Sequence, residues 1–278
     1  MLVLIRGAGD IATGIALRLY RSGLRVAMTD LPRPTAIRRT VCFSQAIVLG
    51  ETTVEGVRAV RADTASQALE RLAEGAVPVL PDPALTCLAS LRPDALVDAI
   101  LAKKNLGTHI TDAPVVVGVG PGFTAGTDCH AVVETMRGHT LGRVIWSGSA
   151  VPNTGVPGNI GGYTLERVMH SPRAGEFHAL RQIGDTVEAG ETVAAVGGEP
   201  LCAKITGTLR GILPEGFYVP RKGFKSADVD PRCRLFHCFT ASDKALAVGG
   251  GVLEAVLMLT SAVGTARKPE KRGEDYGK

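Results

Sequence analysis

The opening thirty residues constrain this chain more than any other stretch. An apolar run, Met1-Leu2-Val3-Leu4-Ile5, enters Arg6-Gly7-Ala8-Gly9-Asp10-Ile11-Ala12-Thr13-Gly14, and a second apolar run ends at Asp30. Strand, glycine turn, helix, strand and acid in that order are the plan of a dinucleotide-binding unit. Gly7 permits the tight turn, Gly9 lets the backbone approach a pyrophosphate, and Ala12 is small enough for close helix–strand packing. The helix that starts here offers N–H groups and its positive dipole end to a phosphate. Gly7, Gly9, Asp10, Ala12 and Gly14, with Asp30, therefore begin the expected cofactor-binding set.

Charges within the unit leave the cofactor's flavour open. Asp10 suits the helix dipole but repels a phosphate. Asp30 suits the ribose hydroxyls of an NAD-type ligand, whereas the arginines that follow, Arg33, Arg38 and Arg39, suit a 2′-phosphate or another anion. The cofactor expected from these residues is NAD(P), with Arg33 in the binding set.

The remaining chemistry-bearing residues are placed by the alternation of strands and helices. Apolar runs read as strands over residues 46–49, 77–80, 95–100, 114–119 and 143–146, with a hairpin over 54–60. Thr64 caps a helix that runs to Glu74, residues 84–90 form a short helix, and residues 128–137 read as helix with Val132, Val133 and Met136 on one face. Helices between apolar strands imply an α/β, Rossmann-like, doubly wound parallel sheet. Ligands of such sheets sit at the carboxyl ends of the strands. Two further strand ends are polar: Asp98, Lys103 and Lys104 after one strand, and Gly120-Pro121-Gly122 after the next. Asp98, Lys103, Lys104, Gly120 and Gly122 complete the expected binding set, the lysines as cations for a phosphate and the glycines for close backbone approach.

A change of character follows residue 150. Residues 151–164 are rich in Gly, Pro and Asn and read as a linker loop. In residues 165–232 short strands alternate with glycine turns, and Ile183-Gly184-Asp185-Thr186-Val187-Glu188-Ala189-Gly190 is echoed by the stretch from Pro214 to Gly223. The pattern resembles biotinyl and lipoyl carrier domains, which implies a small β-rich, barrel-sandwich-like module. Lys204 lacks the flanking residues of a carrier lysine and is not read as one. Residues 233–266 read as a C-terminal helix region, with a helix over 252–263 after the break at Gly249-Gly250-Gly251, and residues 267–278 as a disordered charged tail. Residues 1–150 would then form the nucleotide-binding domain.

Composition narrows the function classes. A hydrophobic fraction of 45% with only 4% aromatics calls for an aliphatic core rich in Ala and Gly. The net charge of +4 suits a phosphate-bearing small molecule and is not the dense basic stripe of a nucleic-acid binder. The apolar stretch 245–264 carries Glu254 and reads as a buried helix, so no membrane partner is expected. Six cysteines without a CxxC pair, and a start that lacks a charged leader, point to free thiols in a reducing cytoplasm. Asp128, His130, Glu134 and His139 gather within twelve positions, but without HExxH or paired cysteines they read as surface or core polar residues, and no metal site is expected. Cys233, His237 and Cys238 read as inert in the same way. No nucleophile, triad or Walker motif assigns a catalytic residue.

Seven stretches together are similar to one family: IRGAGDIATGIA, RPTAIRRTVCFSQA, VDAILAKKN, GVGPGFTAGTDCHAVVETMRGHTLGRVI, NTGVPGNIGGY, DVDPR and SDKALAVGGGVLEA. They resemble the selenium-dependent molybdenum hydroxylase accessory family over nearly the whole chain. The resemblance implies a bacterial maturation factor for a xanthine-dehydrogenase-like enzyme, with the hydroxylase apoenzyme as partner. It also implies a second candidate cofactor, molybdenum cofactor in a nucleotide form. The chain lacks the iron–sulfur cysteine spacings that the hydroxylase itself requires. The alternative reading is a free-standing NAD(P)-dependent oxidoreductase, and a homo-oligomer suits both.

Overall fold

A computed structural model describes residues 1–260. The chain divides into two compact units, and neither is continuous in sequence. Unit 1 takes Met1–Pro34, Phe43–Asn153 and, of the described residues, 241–260; unit 2 takes Thr35–Cys42 and Thr154–Thr240.

Unit 1 is a mixed α/β structure built on one large sheet. Its strands are β1 (Leu2–Arg6), β2 (Arg25–Thr29), β3 (Glu51–Val54), β4 (Val57–Arg61), β5 (Val77–Leu80), β6 (Ala95–Asp98), β7 (Val115–Val119), β8 (Thr124–Ala125), β9 (Ala131–Val133), β10 (Val144–Ile145) and β11 (Gly148–Ser149). Nine of them form the sheet in the order β10-β9-β7-β6-β1-β2-β5-β4-β3, and β8 pairs with β11 separately. All neighbours from β9 to β4 run parallel, while the edge strands β3 and β10 are antiparallel. β1 and β7 are buried at every position, as central parallel strands covered on both faces must be.

Four helices of this unit precede the boundary: α1 (Asp10–Arg21), α2 (Gln45–Leu49), α3 (Ala65–Ala73) and α4 (Leu88–Leu91). Gly9 is the N-cap of α1, and Thr64 caps α3 through its side chain, which accepts from Gln67 N. Leu2, Leu4, Ala27, Leu96, Val116 and Val132 pack on one face of the sheet with Ala68 and Leu72 of α3 and Leu91 of α4. The alternate residues Val3, Ile5, Val26, Met28, Val117 and Val133 are buried on the other.

No helix links β6 to β7 or β7 to β9. The helix α5 (Asp243–Thr260), from the far end of the chain, packs there against β7, β9, β10 and α1. It runs unbroken through the glycine triplet, which corrects the expected break. A Cβ at Gly249 would lie 2.8 Å from the Arg18 side chain and 2.9 Å from Gly14 O, and one at Gly251 would meet Gly142 O and Val133. The triplet thus admits close neighbours and does not end the helix. The expected helix positions 261–263 and the tail 267–278 lie outside the described residues.

Unit 2 consists of β12 (Val168–His170), β13 (Gly175–Ala179), β14 (Thr186–Val187), β15 (Thr192–Val196), β16 (Glu199–Cys202), β17 (Gly207–Ile212), β18 (Tyr218–Val219) and β19 (Lys225–Asp230). They form two four-stranded antiparallel sheets, β12-β19-β17-β14 and β16-β15-β13-β18, around one core that includes Met169, Phe177, Val187, Leu209, Ile212 and Val229. Ile37 joins that core, its C=O accepting from Ile212 N at 2.9 Å. Buried within the first sheet, Asp228 binds Arg167 and Arg210 at 2.8 Å each, and Asp230 binds Arg210 at 3.4 Å and Arg232 at 2.6 Å. Burial alone would raise the Asp230 carboxyl. The hydrogen bonds from Arg232 and the charges of Arg210 and Arg232 outweigh it and hold that carboxyl far below the usual carboxylate range.

Other local expectations are corrected by the same structure. Residues 46–49 belong to the short helix α2, and the strand begins only at Glu51. A four-residue apolar run carries too little period to separate the two. Residues 128–137 are not a helix: Ala131, Val132 and Val133 pair in parallel with β7, and Glu134 turns the chain toward β10. The β-branched pair fitted either period, and pairing with β7 decided it. The expected continuous domains 1–150 and 165–232 also miss that residues 35–42 fold with unit 2 and α5 with unit 1. Residues 233–240 likewise fold with unit 2 and precede the helix.

Candidate functional site

The chain order of the sheet reverses between β1 and β6. From β1 it proceeds through β2 toward one edge, and from β6 through β7 and β9 toward the other. At such a point the loops after neighbouring strands diverge and open a crevice at their carboxyl ends. The glycine turn lies on this edge.

The turn is locked from within. Gly7, at φ +104°, donates its N–H to Thr29 O at 2.8 Å, and a Cβ there would lie 2.9 Å from Ala99 O. Ala8 N donates to Asp30 Oδ2 at 2.8 Å, and Leu31 N to Asp30 Oδ1 at 2.7 Å. Burial raises the Asp30 carboxyl pKa, and these two N–H groups pull it part of the way back. Ala8 O accepts from Ser44 N, and Phe43 N donates to Thr13 Oγ1 at 2.9 Å. Gly9 differs from Gly7: no atom stands within 4 Å of where its Cβ would be, and the helix it opens has no side-chain cap.

α5 brings a second helix start to the same edge. A Cβ on Gly14 would fall 2.5 Å from the Ala245 Cβ, and Gly249 packs on Gly14 O and Arg18, so α1 and α5 run side by side in the same direction. Ser242 Oγ accepts from Ala245 N at 3.2 Å, and Arg137 holds Asp243 through two hydrogen bonds of 2.8 and 3.1 Å. Lys244 then stands half-buried among charges from three other segments. Burial lowers its pKa. Lys103 and Arg137 push the same way, and Asp10 and Glu134 act against them. Glu134 is itself anchored: Oε1 accepts from Thr135 N and Met136 N at 2.6 Å each, and Oε2 from Val151 N at 2.8 Å.

The loop after β6 is held under strain at this edge. Leu101 and Lys103 adopt φ of +61° and +68°, conformations that side chains with a Cβ enter only at a cost of about 1–3 kcal/mol. Gly122, at φ +112°, rests directly on Lys104, with a would-be Cβ 2.6 Å from the Lys104 Cα, and Gly120 meets Thr135 Oγ1 at 2.7 Å in the same sense. Beneath the loop, buried Arg6 donates to Thr108 Oγ1 at 2.9 Å, to Asp98 at 3.3 Å and to the carbonyls of Pro83 and Leu106. Thr108 Oγ1 donates to Asp98 Oδ2 at 2.6 Å.

The expected site residues thus divide. Gly9, Asp10, Lys103, Lys104, Gly120 and Gly122 lie on one edge. Ala12 is buried in α1 as expected of a packing residue. Gly7 meets the backbone of Ala99 and Ile100, and Gly14 serves α5. Asp98 is consumed by Arg6 and Thr108, because a carboxylate at a buried strand end needs a cation and donors of its own. Asp30 ties the turn to Leu31. Arg33 is exposed, whereas Arg38 donates to the carbonyls of His237 and Thr240, and Arg39 to Ile212 O, all within unit 2.

Sequence reasoning missed Lys244, Arg137 and the supporting Arg6. Lys244 had a signal, since it opens a stretch that carried the resemblance, but the glycine triplet hid the helix it begins. His130 and Glu134 do not share a helix face. His130 Nδ1 accepts from Val116 N at 3.0 Å, and no group of His, Cys, Asp or Glu suited to a metal occurs among the described residues. Burial pushes the thiols of Cys87 up to about 12 and Cys129 up to about 11, and raises that of Cys238 as well. Cys202 and Cys233 are exposed. Lys204 lies between β16 and β17, strands of different sheets, and not at a hairpin tip. No helix among the described residues is long and apolar enough to cross a membrane.

No family model matches the chain. An uncharacterized protein of Escherichia coli (strain K12), YqeB, is 52% identical over 258 residues, which are 93% of this chain and 48% of that protein. The chain therefore spans about half the length of the curated relative it matches. Among solved structures it is similar to an aspartoacylase family protein from Mesorhizobium loti, at 13% identity over 84% of this chain and 86% of that one, with a TM-score of 0.26. It is also similar to a succinylglutamate desuccinylase/aspartoacylase from Rhodobacter sphaeroides, at 15% identity over 82% and 84%, with a TM-score of 0.27. Likenesses of that degree carry no argument about this chain.

Proposed function

We propose that the protein is a maturation factor for a molybdenum hydroxylase and that it binds a phosphate-bearing cofactor at the strand ends of unit 1. One observation carries the reading. Four separate stretches that resemble the accessory family supply one edge: Asp10 with the start of α1, Lys103, the segment from Gly120 to Arg137, and Lys244 with the start of α5. Packed cores alone do not require polar segments of distant sequence to meet at a crevice, whereas a ligand does. The cofactor in this reading is a nucleotide form of molybdenum cofactor, and the partner is the hydroxylase apoenzyme.

The frame fits the role. Unit 1 is read as a Rossmann-like sheet, supported by its parallel strands and the order reversal beside β1. Unit 2 is read as barrel-sandwich-like. The two echoed stretches supply β14 and β18, each the end strand of its own sheet, which supports an origin in two equivalent halves. The chemistry asked of this chain's own residues is binding and orientation: helix N–H groups and lysines neutralise anionic oxygens on a rigid edge.

Co-expression with a molybdenum hydroxylase tests the proposal. Hydroxylase activity should rise when this protein is present. Gly9→Asp, which sets a carboxylate into the open space at the start of α1, should abolish the gain while the circular dichroism and melting of the variant stay unchanged. Full hydroxylase activity without the protein, or rapid oxidation of NAD(P)H with a small carbonyl compound by the isolated chain, would favour the oxidoreductase reading.

A further inference from the structure

We infer that the exposed turn over residues 235–239 of unit 2 is the docking surface for the hydroxylase apoenzyme, and that it takes an acidic segment of that partner with an apolar side chain as its anchor. This rests on the maturation reading above and names the face of the chain that meets the partner.

Phenylalanine is scarce in this chain and is otherwise spent inside it. Of the seven, Phe43, Phe123 and Phe177 are buried, and Phe217 stacks on Phe224 with ring centroids 5.8 Å apart. Only Phe236 and Phe239 are turned outward, 69% and 48% exposed, and Leu235 beside them is 57% exposed. Leu235 and Phe239 lie together over Gly184, where a Cβ would stand 3.0 Å from Leu235 Cδ1 and 3.9 Å from Phe239 Cζ. The three side chains offer apolar surface on the order of 300 Å² at one place, a size at which patches on monomers are often functional.

The backbone of this turn is pinned within unit 2. Arg38 donates to His237 O at 2.9 Å and to Thr240 O at 3.2 Å, Thr40 Oγ1 to Cys238 O at 2.5 Å, and Thr240 Oγ1 to Phe236 O at 3.0 Å. Cys238 is buried, and its thiol donates to Leu209 O. A fixed backbone that holds two phenyl rings outward is preorganised for contact, since rings on two side-chain torsions have little entropy left to lose.

Charge and area choose the occupant. Residues 231–240 carry two arginines and no acid. Arg232 is matched by Asp230 at 2.6 Å, whereas the Arg234 guanidinium has no partner among the described residues. The acid next to Gly184, Asp185, accepts from Gln182 N at 2.8 Å. An aromatic patch with an unmatched arginine at its rim fits a partner that sets a carboxylate beside an apolar side chain. A second copy does not fit in the same way. A two-fold axis through the patch would set the cationic segment against itself, and the apolar area is well below the ~800 Å² per partner of a standard stable interface. A contact of this size is transient, as a factor that hands over a cofactor and leaves requires.

Surface plasmon resonance of the whole protein over immobilised molybdenum hydroxylase apoenzyme tests the inference. The wild type should bind in the micromolar range, as small transient interfaces do. Phe236→Ala and Arg234→Glu should each weaken binding at least about tenfold, with melting unchanged because both side chains are exposed. Added salt should weaken the wild type more than Arg234→Gln, since the arginine is the charge that salt screens. The exposed Cys233 thiol, next to Arg234, should be shielded from a maleimide by the apoenzyme, while the exposed Cys202 stays reactive. Wild-type affinity in both Phe236→Ala and Arg234→Glu, or an unshielded Cys233 in the complex, would overturn the docking assignment and leave the maturation reading standing. A homodimer that Phe236→Ala dissociates would overturn it in favour of a second copy. No rise in hydroxylase activity on co-expression with the wild type would sink the maturation reading itself.

Discussion

At the residue scale, a polar side chain at a strand end serves either the ligand or the loop that shapes the ligand's place. Asp98 is of the second kind. Its carboxylate accepts from Arg6 and Thr108, and Ile100 N donates to its other oxygen at 3.2 Å. Asp98→Ala would leave the Arg6 guanidinium buried without its carboxylate, so it should destabilise unit 1 by about 3 kcal/mol, whereas a ligand-binding carboxylate would be lost at little cost to stability. Urea unfolding of the two proteins decides between these roles: an unchanged midpoint would return Asp98 to the ligand. The distinction was not legible in the sequence. Asp98 and Lys103 stand five positions apart at the same strand end, and only the partner ninety-two residues earlier, Arg6, separates structural acid from candidate site. The glycine turn was legible because its pattern is local. That Asp30 closes the turn through Ala8 is a matter of a single hydrogen bond, which no spacing rule specifies.

At the element scale, α5 supplies what the strand connections leave out. The links from β6 to β7 and from β7 to β9 contain no helix, so the face carrying Val117 and Val133 would be bare without it. α5 fits because glycine lets it approach closely, and its three glycines are not equivalent. A Cβ at Gly249 meets Arg18 and the α1 backbone, one at Gly251 meets the Gly142 carbonyl, and one at Gly250 meets nothing within 4 Å. Gly250→Ala should therefore stabilise the protein by about 0.5–1 kcal/mol, the helix-propensity difference. Gly249→Ala and Gly251→Ala should each destabilise it by about 1–3 kcal/mol through overpacking. Thermal melts of the three variants test this, and a uniform response across the triplet would refute the packing account. In sequence the triplet reads as a breaker, because intrinsic propensity penalises all three alike. Packing against α1 and Gly142 overrides that penalty, and it is non-local.

At the scale of the whole molecule, each unit is assembled from separated stretches, and this decides how the chain can be cut. The change in composition after residue 150 marks a real transition, since unit 2 takes up the chain at Thr154. Composition could not report that unit 1 resumes at residue 241, nor that residues 35–42 are drawn into unit 2. Residues 1–150 expressed alone lack α5. They would expose buried positions of β7, β9 and β10 together with the α1 face at Gly14, a contiguous apolar patch of the kind monomers rarely show. They also lack Lys244 and the start of α5, so they should bind no phosphate-bearing cofactor even if partly folded. Residues 154–240 alone lack Ile37, whose carbonyl takes the N–H of Ile212, and Arg39, which donates to Ile212 O at 2.9 Å. Each fragment should therefore show weak hydrogen-exchange protection and no cooperative melt. Joining 1–150 to 241–260 through a flexible linker, with residues 35–42 replaced by a short Gly-Ser bridge, should restore a cooperative melt to unit 1. A cooperative transition in residues 1–150 by themselves would show that α5 is an accessory to the sheet and not one of its layers. In that case the site would have to be argued without Lys244.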